Sequence, residues 1–239
     1  MKKIHFKRID STSSYLKNNY DKYDNLTFVS ADYQESGHGR SGRRWYSEDG
    51  ENLLFSILIK DKRLLAKVSN LSLASAVCVY NVLKRCNIDN VSIKWPNDVY
   101  VKDNKISGIL LESVSCGKGV DALIIGVGIN VNSKSFREDF INKPTSMRFE
   151  MNESISLEAL KSVVYDEFVN MFDLIIKEDF SYLDVVRNNN YLKGKRVYAL
   201  INNEIELVEV IDINEDNSLK VKVDSKCLDV CSGEITFHV

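Results

Sequence analysis

The chain has 239 residues, 44% of them apolar and 28% charged, an ordinary composition for a globular protein of one large domain, alone or with a small appendage. A formal charge of −2 leaves no global basic field to hold nucleic acid. The charged N-terminus has no apolar core of a secretory signal, and the longest apolar stretch, residues 122 to 131, is too short and glycine-interrupted for a membrane span.

Five cysteines (Cys78, Cys86, Cys116, Cys227, Cys231) in odd number and scattered spacing argue against a disulfide framework and fit a reducing cytoplasm. The three histidines, His5, His38 and His238, are far apart and near no CxxC pair, so no side-chain metal site is expected.

In chain order, Ile4, Phe6 and Ile9 begin a strand, and residues 10 to 13 (DSTS) offer helix N-caps before Tyr15 and Leu16. A second strand spans 26 to 31. A polar loop covers 34 to 50, with four glycines. Residues 52 to 59 (NLLFSILI) read as a buried strand. Residues 66 to 85 repeat apolar side chains at helical spacing. The next strand, 91 to 94, stops at Trp95-Pro96, because a residue before proline avoids the helical region.

Short strands follow at 99 to 101 and 106 to 114, with Asp103-Asn104 as the hairpin turn. A further strand spans 121 to 131. The polar, poorly periodic stretch 132 to 152 reads as a long loop. Ser156 caps a helix over 157 to 177, and a shorter helix spans 182 to 188. After residue 190 the texture becomes one of short alternating segments broken at Asn202-Asn203 and at 215 to 217. That predicts a small all-β module over 191 to 239, packed on a larger domain over 1 to 190. The larger part lacks a regular βαβ rhythm, which predicts an α+β fold with a mixed, largely antiparallel sheet and helices on one face.

The most informative segment is Gln34-Glu35-Ser36-Gly37-His38-Gly39-Arg40-Ser41-Gly42-Arg43-Arg44-Trp45. Glycine allows positive φ and close backbone approach to a ligand. Arginine adds forked, charge-assisted donors suited to phosphate or carboxylate. The pattern is neither a Walker A loop nor a dinucleotide fingerprint. Composition alone leaves open a solvated basic loop ending in a core tryptophan.

A second cluster is Lys94-Trp95-Pro96-Asn97-Asp98, followed by Lys105-Ile106-Ser107-Gly108-Ile109-Leu110-Leu111-Glu112. The chain has only two prolines, so one inside a polar cluster fixes a turn, with Lys94 and Asp98 flanking it. Each lysine taken alone also reads as a surface residue, Asp98 as a turn former, and Gly108 as a bulge. A third element is Gly126-Val127-Gly128-Ile129-Asn130, where two glycines permit close packing or a flat ligand, and Asn130 offers a polar contact.

These clusters, in this order, resemble the biotin protein ligase family. The glycine loop is similar to its GRGRxGRxW motif, Lys94 to Asp98 to KWPND, Lys105 to Glu112 to KxxGILxE, and Gly126 to Asn130 to GxGIN. Gly233-Glu234-Ile235 resembles the C-terminal GEI signature, Ser11-Thr12 the STN segment, and Pro144-Thr145-Ser146 an ATS-type loop. Together they cover nearly the whole chain. Ser13 stands where the family has Asn, His38 where the first loop arginine is usual, and Glu48 where proline is common. The sequence starts directly at the catalytic strand, so the resemblance is to the monofunctional class without a DNA-binding domain, and no DNA binding is expected.

The resemblance implies a fold like the class II aminoacyl-tRNA synthetases and biotin ligases, with a C-terminal SH3-like β-barrel. It implies activation of biotin by ATP to biotinyl-5′-adenylate, then transfer to a lysine of a biotin carboxyl carrier protein in the cytoplasm, with Mg²⁺ arriving on ATP. Biotin contacts are expected from Ser11, Thr12, Ser13, Gln34, Gly37, His38, Gly39, Arg40, Lys105 and Gly108. Nucleotide contacts are expected from Arg40, Arg43, Trp45, Lys94, Asn97, Lys105 and Asn130. Lys105 would bridge the biotin carboxylate and the α-phosphate, Arg40 would support the same centre with Lys94 and Arg43 as further phosphate partners, and Asp98 would orient or deprotonate the carrier lysine. The strand over 121 to 130 offers a homodimer contact. Lipoate ligase is the nearest rival, but its RR-xxGGG run is absent. A nucleic-acid module is opposed by the net charge and the lack of interleaved aromatics in the loop.

Overall fold

The structure, a computed structural model, describes residues 2–115, 119–136, 143–201, 204–231 and 235–236. Strand β1 (Lys3–Ile9) leads into helix α1 (Thr12–Asn18), whose N-cap Ser11 accepts from the Ser14 N–H through its side chain. Strands β2 (Phe28–Gln34) and β3 (Leu53–Ile59) follow, then helices α2 (Lys62–Leu65) and α3 (Val68–Arg85). Next come β4 (Val91–Lys94), β5 (Asp98–Val101), β6 (Asn104–Val114) and β7 (Ala122–Ile129). Helices α4 (Met147–Met151), α5 (Leu157–Ile176) and α6 (Tyr182–Asn188) precede β8 (Arg196–Ile201), β9 (Glu204–Ile213), β10 (Leu219–Val223), β11 (Lys226–Val230) and β12 (Ile235–Thr236).

The large sheet has the order β1-β2-β3-β7-β6-β5-β4. Only β1 and β2 pair in parallel; every other pair is antiparallel. That is the mixed sheet the sequence predicts.

The helices are not confined to one face. On β3, Phe55 and Ile57 join the main core with α3 and α5, and Phe55 meets Phe168 edge-on with ring centroids 5.6 Å apart. Leu58 points the other way, where Leu16 of α1 packs with Val29, Ala122 and Ile124. All seven residues of β3 are buried because both faces are covered, which is why the strand reads as an unbroken apolar run. The chain over 132 to 152 is also not all loop: Ser146 caps α4 by accepting from the Phe149 N–H. Five residues are too few to show a helical period, so the cap was the only local signal.

The second sheet is antiparallel, in the order β11-β10-β9-β8-β12. This is the small all-β module the sequence predicts; among the described residues no closed barrel is formed, and β11 and β12 are the outer strands of the sheet. It abuts the β4 edge of the large sheet. Ile93 N–H donates to Asn189 O and its carbonyl accepts from Tyr191 N–H, which covers the exposed backbone of that edge. The buried Trp95 indole N–H donates to Asn217 O at 2.9 Å, and Tyr100 stacks on Tyr191. No helix among the described residues is long and apolar enough to cross a membrane.

Candidate active site

The site lies on the α1 face of the large sheet and is laid out by strand register. Lys94 pairs with Asp98, Asp98 with Gly108, Gly108 with Gly128, and Gly128 with Leu54. Residues directly opposite each other share a face, so motifs far apart in sequence form one transverse row. The next row on the same face carries Leu110, Gly126 and Ser56.

Lys105 joins this face through a bulge. Val99 pairs with Ser107, but Tyr100 pairs with Lys105, so β6 carries one extra residue at Ile106. Strict alternation from Gly108 would send Lys105 to the opposite face. The extra residue returns it to the side of Asp98 and Tyr100. Its backbone is held there by the later loop: Lys105 N–H donates to Lys143 O at 2.8 Å, and Thr145 N–H donates to Lys105 O at 2.9 Å.

The Lys105 ammonium lies 2.7 Å from Asp98 Oδ1. That oxygen has no aligned hydrogen bond, so the contact is electrostatic. Both side chains are mostly buried, and a half-desolvated pair of this kind is costly to break by removing one member.

The glycine loop folds as a miniature hairpin beside them. Trp45 N–H donates to Gly37 O, Gly39 N–H to Arg43 O, and Arg43 N–H to Arg40 O. Gly42 sits in the closing turn at φ +72°, a conformation that disfavours any side chain. The hairpin delivers Arg40 to the 94–98 turn, where its guanidinium donates to Asn97 Oδ1 at 3.4 Å. Asn97 in turn donates to Ile109 O at 2.6 Å. Arg40 and Lys105 therefore land on adjacent residues, 97 and 98, of one turn.

Trp45 does not stand clear of the sheet. A Cβ at Gly108 would come within 3.0 Å of its ring, and a Cβ at Gly128 would collide with it. Its indole N–H is buried without a partner, and the Lys105 ammonium lies 5.8 Å from the ring centroid. The space that two strand glycines open is occupied by this side chain.

Lys94 is 6% exposed, and its ammonium is pushed down to about 8. Burial is the main cause; Asp98 opposes it, while Lys105, Arg43 and Lys195 add repulsion. Cations from the loop, β6 and the segment before β8 thus all act on Lys94, with the Asp98 carboxylate opposing them. Beside them Tyr100, buried, keeps its phenol well above its ordinary range, by desolvation first and the charge of Asp98 second.

At the other end, Thr12 meets Gln34 and Ser13 meets Ser56, while the Ser11 hydroxyl is engaged as the cap of α1. Thr12 N–H donates to Gln34 Oε1 at 2.8 Å, and Ser13 Oγ lies 2.9 Å from Ser56 Oγ. A Cβ at Gly37 would come 3.2 Å from Gln34 Nε2, so the loop glycine closes against that amide. His38 is held by Glu112, Nε2 to Oε2 at 3.2 Å, and Glu112 also takes Lys17 at 3.3 Å. Asn130 is buried, and its side-chain amide donates to Thr145 O, so it supports the loop that pins Lys105. Gly233 and Glu234 lie outside the described residues; the backbone of Ile235 forms part of β12.

Sequence reasoning missed Ser56, Tyr100, Glu112 and Lys195. Glu112 was in view as the last residue of a motif; the other three carried no local signal, because only cross-strand register brings them in.

The profile of the Biotin/lipoate A/B protein ligase family matches residues 5–130. The chain is 39% identical over 137 residues to the bifunctional ligase/repressor BirA of Salmonella typhimurium, covering 56% of this chain and 42% of that protein. It is 33% identical over 126 residues to the biotin--[acetyl-CoA-carboxylase] ligase of Paracoccus denitrificans, 52% of each chain. The chain thus spans about half the length of the curated relatives it matches. Among solved structures, the biotin protein ligase of Aquifex aeolicus in complex with biotin and ATP superposes with a TM-score of 0.85 at 26% identity, over 98% of this chain and 97% of that one. With the family profile spanning more than half its residues and its motifs gathered on one sheet face, this chain belongs to the biotin/lipoate A/B protein ligase family.

Proposed function

We propose that the chain activates biotin with ATP as biotinyl-5′-adenylate and passes the biotinyl group to a lysine of a biotin carboxyl carrier protein. The observation that carries this is the meeting of Arg40 and Lys105 at Asn97 and Asp98. A carboxylate and an α-phosphate repel by about 4 kcal/mol at ~4 Å in a medium of effective dielectric near 20, so a site that joins them needs cations from more than one direction. Lys105 bridges the two anions, Arg40 supports the same centre, and Lys94 and Arg43 take phosphate oxygens. Magnesium, carried by the nucleotide rather than by a side-chain cluster, would supply charge screening at the pyrophosphate beside Lys94 and Arg43.

Ser11, Thr12, Ser13 and Gln34, with Gly37, His38, Gly39 and Gly108, form the ring end of the biotin site. Trp45, Asn97 and Asn130 belong to the nucleotide end. The glycine hairpin excludes water from a mixed anhydride that water would destroy. When the anions arrive they compete for Lys105 and release Asp98, which then orients or deprotonates the carrier lysine. Residues 1–190 form the catalytic unit on this reading and 191–239 pack against its β4 edge; the homodimer contact expected over 121 to 130 is opposed by the burial of all eight residues of β7 between β3 and β6. Biotin is preferred to lipoate because the named relatives are biotin ligases and the lipoate-type glycine run is absent.

The test is a purified carrier domain incubated with the protein, biotin, ATP and Mg²⁺. A mass increase of one biotinyl group, with pyrophosphate released, is expected. Labelling with lipoate in place of biotin, or none with either, would overturn the proposal.

A further inference from the structure

The first turn of α1 and strand β3 are joined by hydroxyl contacts whose proton order the structure fixes. Thr12 N–H can only donate, and it donates to Gln34 Oε1 at 2.8 Å, which sets the orientation of that amide. Thr12 Oγ lies 3.0 Å from the same oxygen. An amide oxygen only accepts, so the Thr12 hydroxyl proton is committed there. Thr12 Oγ is also 2.8 Å from Ser56 Oγ; it must accept, and Ser56 must donate. Ser56 Oγ is 2.9 Å from Ser13 Oγ; it must accept in turn, and Ser13 donates. Reversing any link would leave two oxygens face to face with no proton between them.

No water breaks the chain, for Ser56 is fully buried and Ser13 and Thr12 nearly so. At its free end the Ser13 hydroxyl has only lone pairs left to offer. It sits over Gly126, where a Cβ would come within 2.5 Å of Ser13 Oγ, so the glycine admits the hydroxyl to the sheet floor.

We infer that Ser56 is a specificity-determining positioning residue: by taking the Ser13 proton it makes Ser13 a pure acceptor, which selects a ring N–H over a ring oxygen of the same shape. The inference rests on the proposed substrate, whose cyclic urea carries two N–H groups. A site whose polarity is preset rejects the analogue that cannot pair with it, because the buried group is left unmatched. Ser56 touches Ser13 and Thr12 rather than the ligand, so it acts through them.

The test uses the full chain, wild type and Ser56→Ala, titrated with biotin and with two cyclic carbamates in which each ring N–H in turn is replaced by oxygen. The wild type should prefer biotin to one of the carbamates by about 10- to 100-fold. In Ser56→Ala the Ser13 hydroxyl is free to turn and donate, so that preference should fall at least about tenfold while KM for ATP stays put. Ser13→Ala, which removes the acceptor itself, should lose the same preference and serves if Ser56→Ala does not fold. Equal weakening of biotin and carbamate in either variant, with the ratio preserved, would overturn the inference, as would a wild type that binds all three alike. A wild type that binds no biotin would instead refute the substrate reading.

Discussion

Gly128→Ala is the substitution most directly priced by the geometry. The added Cβ would meet the Trp45 indole at Cε2, and would lie 2.7 Å from both Cζ2 and Nε1. Ordinary contact between such atoms is about 3.5–4.0 Å, so a rigid ring must retreat by roughly 1 Å, and no flexible side-chain end is available to yield. Overpacking of this kind costs about 1–3 kcal/mol. Urea unfolding followed by far-UV circular dichroism should show a lower midpoint with an unchanged slope. Tryptophan emission should shift to the red as the indole swings toward water. Trp45→Ala removes the obstacle, so the double variant should be less destabilised than the sum of the singles. Gly39→Ala is the control: its Cβ would find only Arg43 O, at 3.7 Å, and should stay within ~0.5 kcal/mol of wild type. An unchanged midpoint and emission for Gly128→Ala, or strict additivity in the cycle, would refute the placement of Trp45 against the sheet.

Further outcomes follow from the charged cluster. Lys105→Ala should cut biotin-dependent pyrophosphate exchange by ~10²-fold or more, because the one cation expected to touch both anions is gone. Asp98→Ala should slow transfer from preformed adenylate more than adenylate formation; equal losses in the two half-reactions would remove Asp98 from the second step. Lys94 carries a pH signature. Its folded ammonium titrates near 8 against an ordinary 10.5, so above pH 8 the unfolded chain binds more protons than the folded one. Stability attributable to this residue therefore rises with pH, by up to about 3 kcal/mol between pH 8 and 10.5. Chemical unfolding of wild type and Lys94→Met across that window should show wild type gaining on the variant, and parallel curves would contradict the burial of a charged ammonium.

Long, strongly patterned elements were legible in the sequence: β3, α3, α5 and α6 fall within two residues of their expected bounds, because burial leaves a run or a period in the residue order. The motifs gave most of the site for a different reason, since glycines, a proline and paired charges are visible singly. What stayed hidden depends on register. Ser56 is one hydroxyl in an apolar strand buried on both faces, so alternation cannot say which side it serves. The bulge at Ile106 is a single extra residue with no glycine to mark it. Asn130 is marked by its motif, but its amide also braces the Thr145 carbonyl, a contact set by a loop fifteen residues later. The direction in which α1 packs is likewise invisible locally, and it placed helices on both faces of the sheet.

The hold that residues 143 and 145 have on Lys105 runs through main-chain atoms alone. The exposed side chain at 143 is consequently at liberty to drift over evolutionary time, whereas the count of peptide units returning the chain to that lysine is constrained. A one-residue deletion between 143 and 145 should then abolish the proposed activity as thoroughly as losing the ammonium itself, while point changes at 143 pass unnoticed. Beyond the resemblance at Pro144-Thr145-Ser146, the signature of this segment among related sequences would be the rarity of gaps.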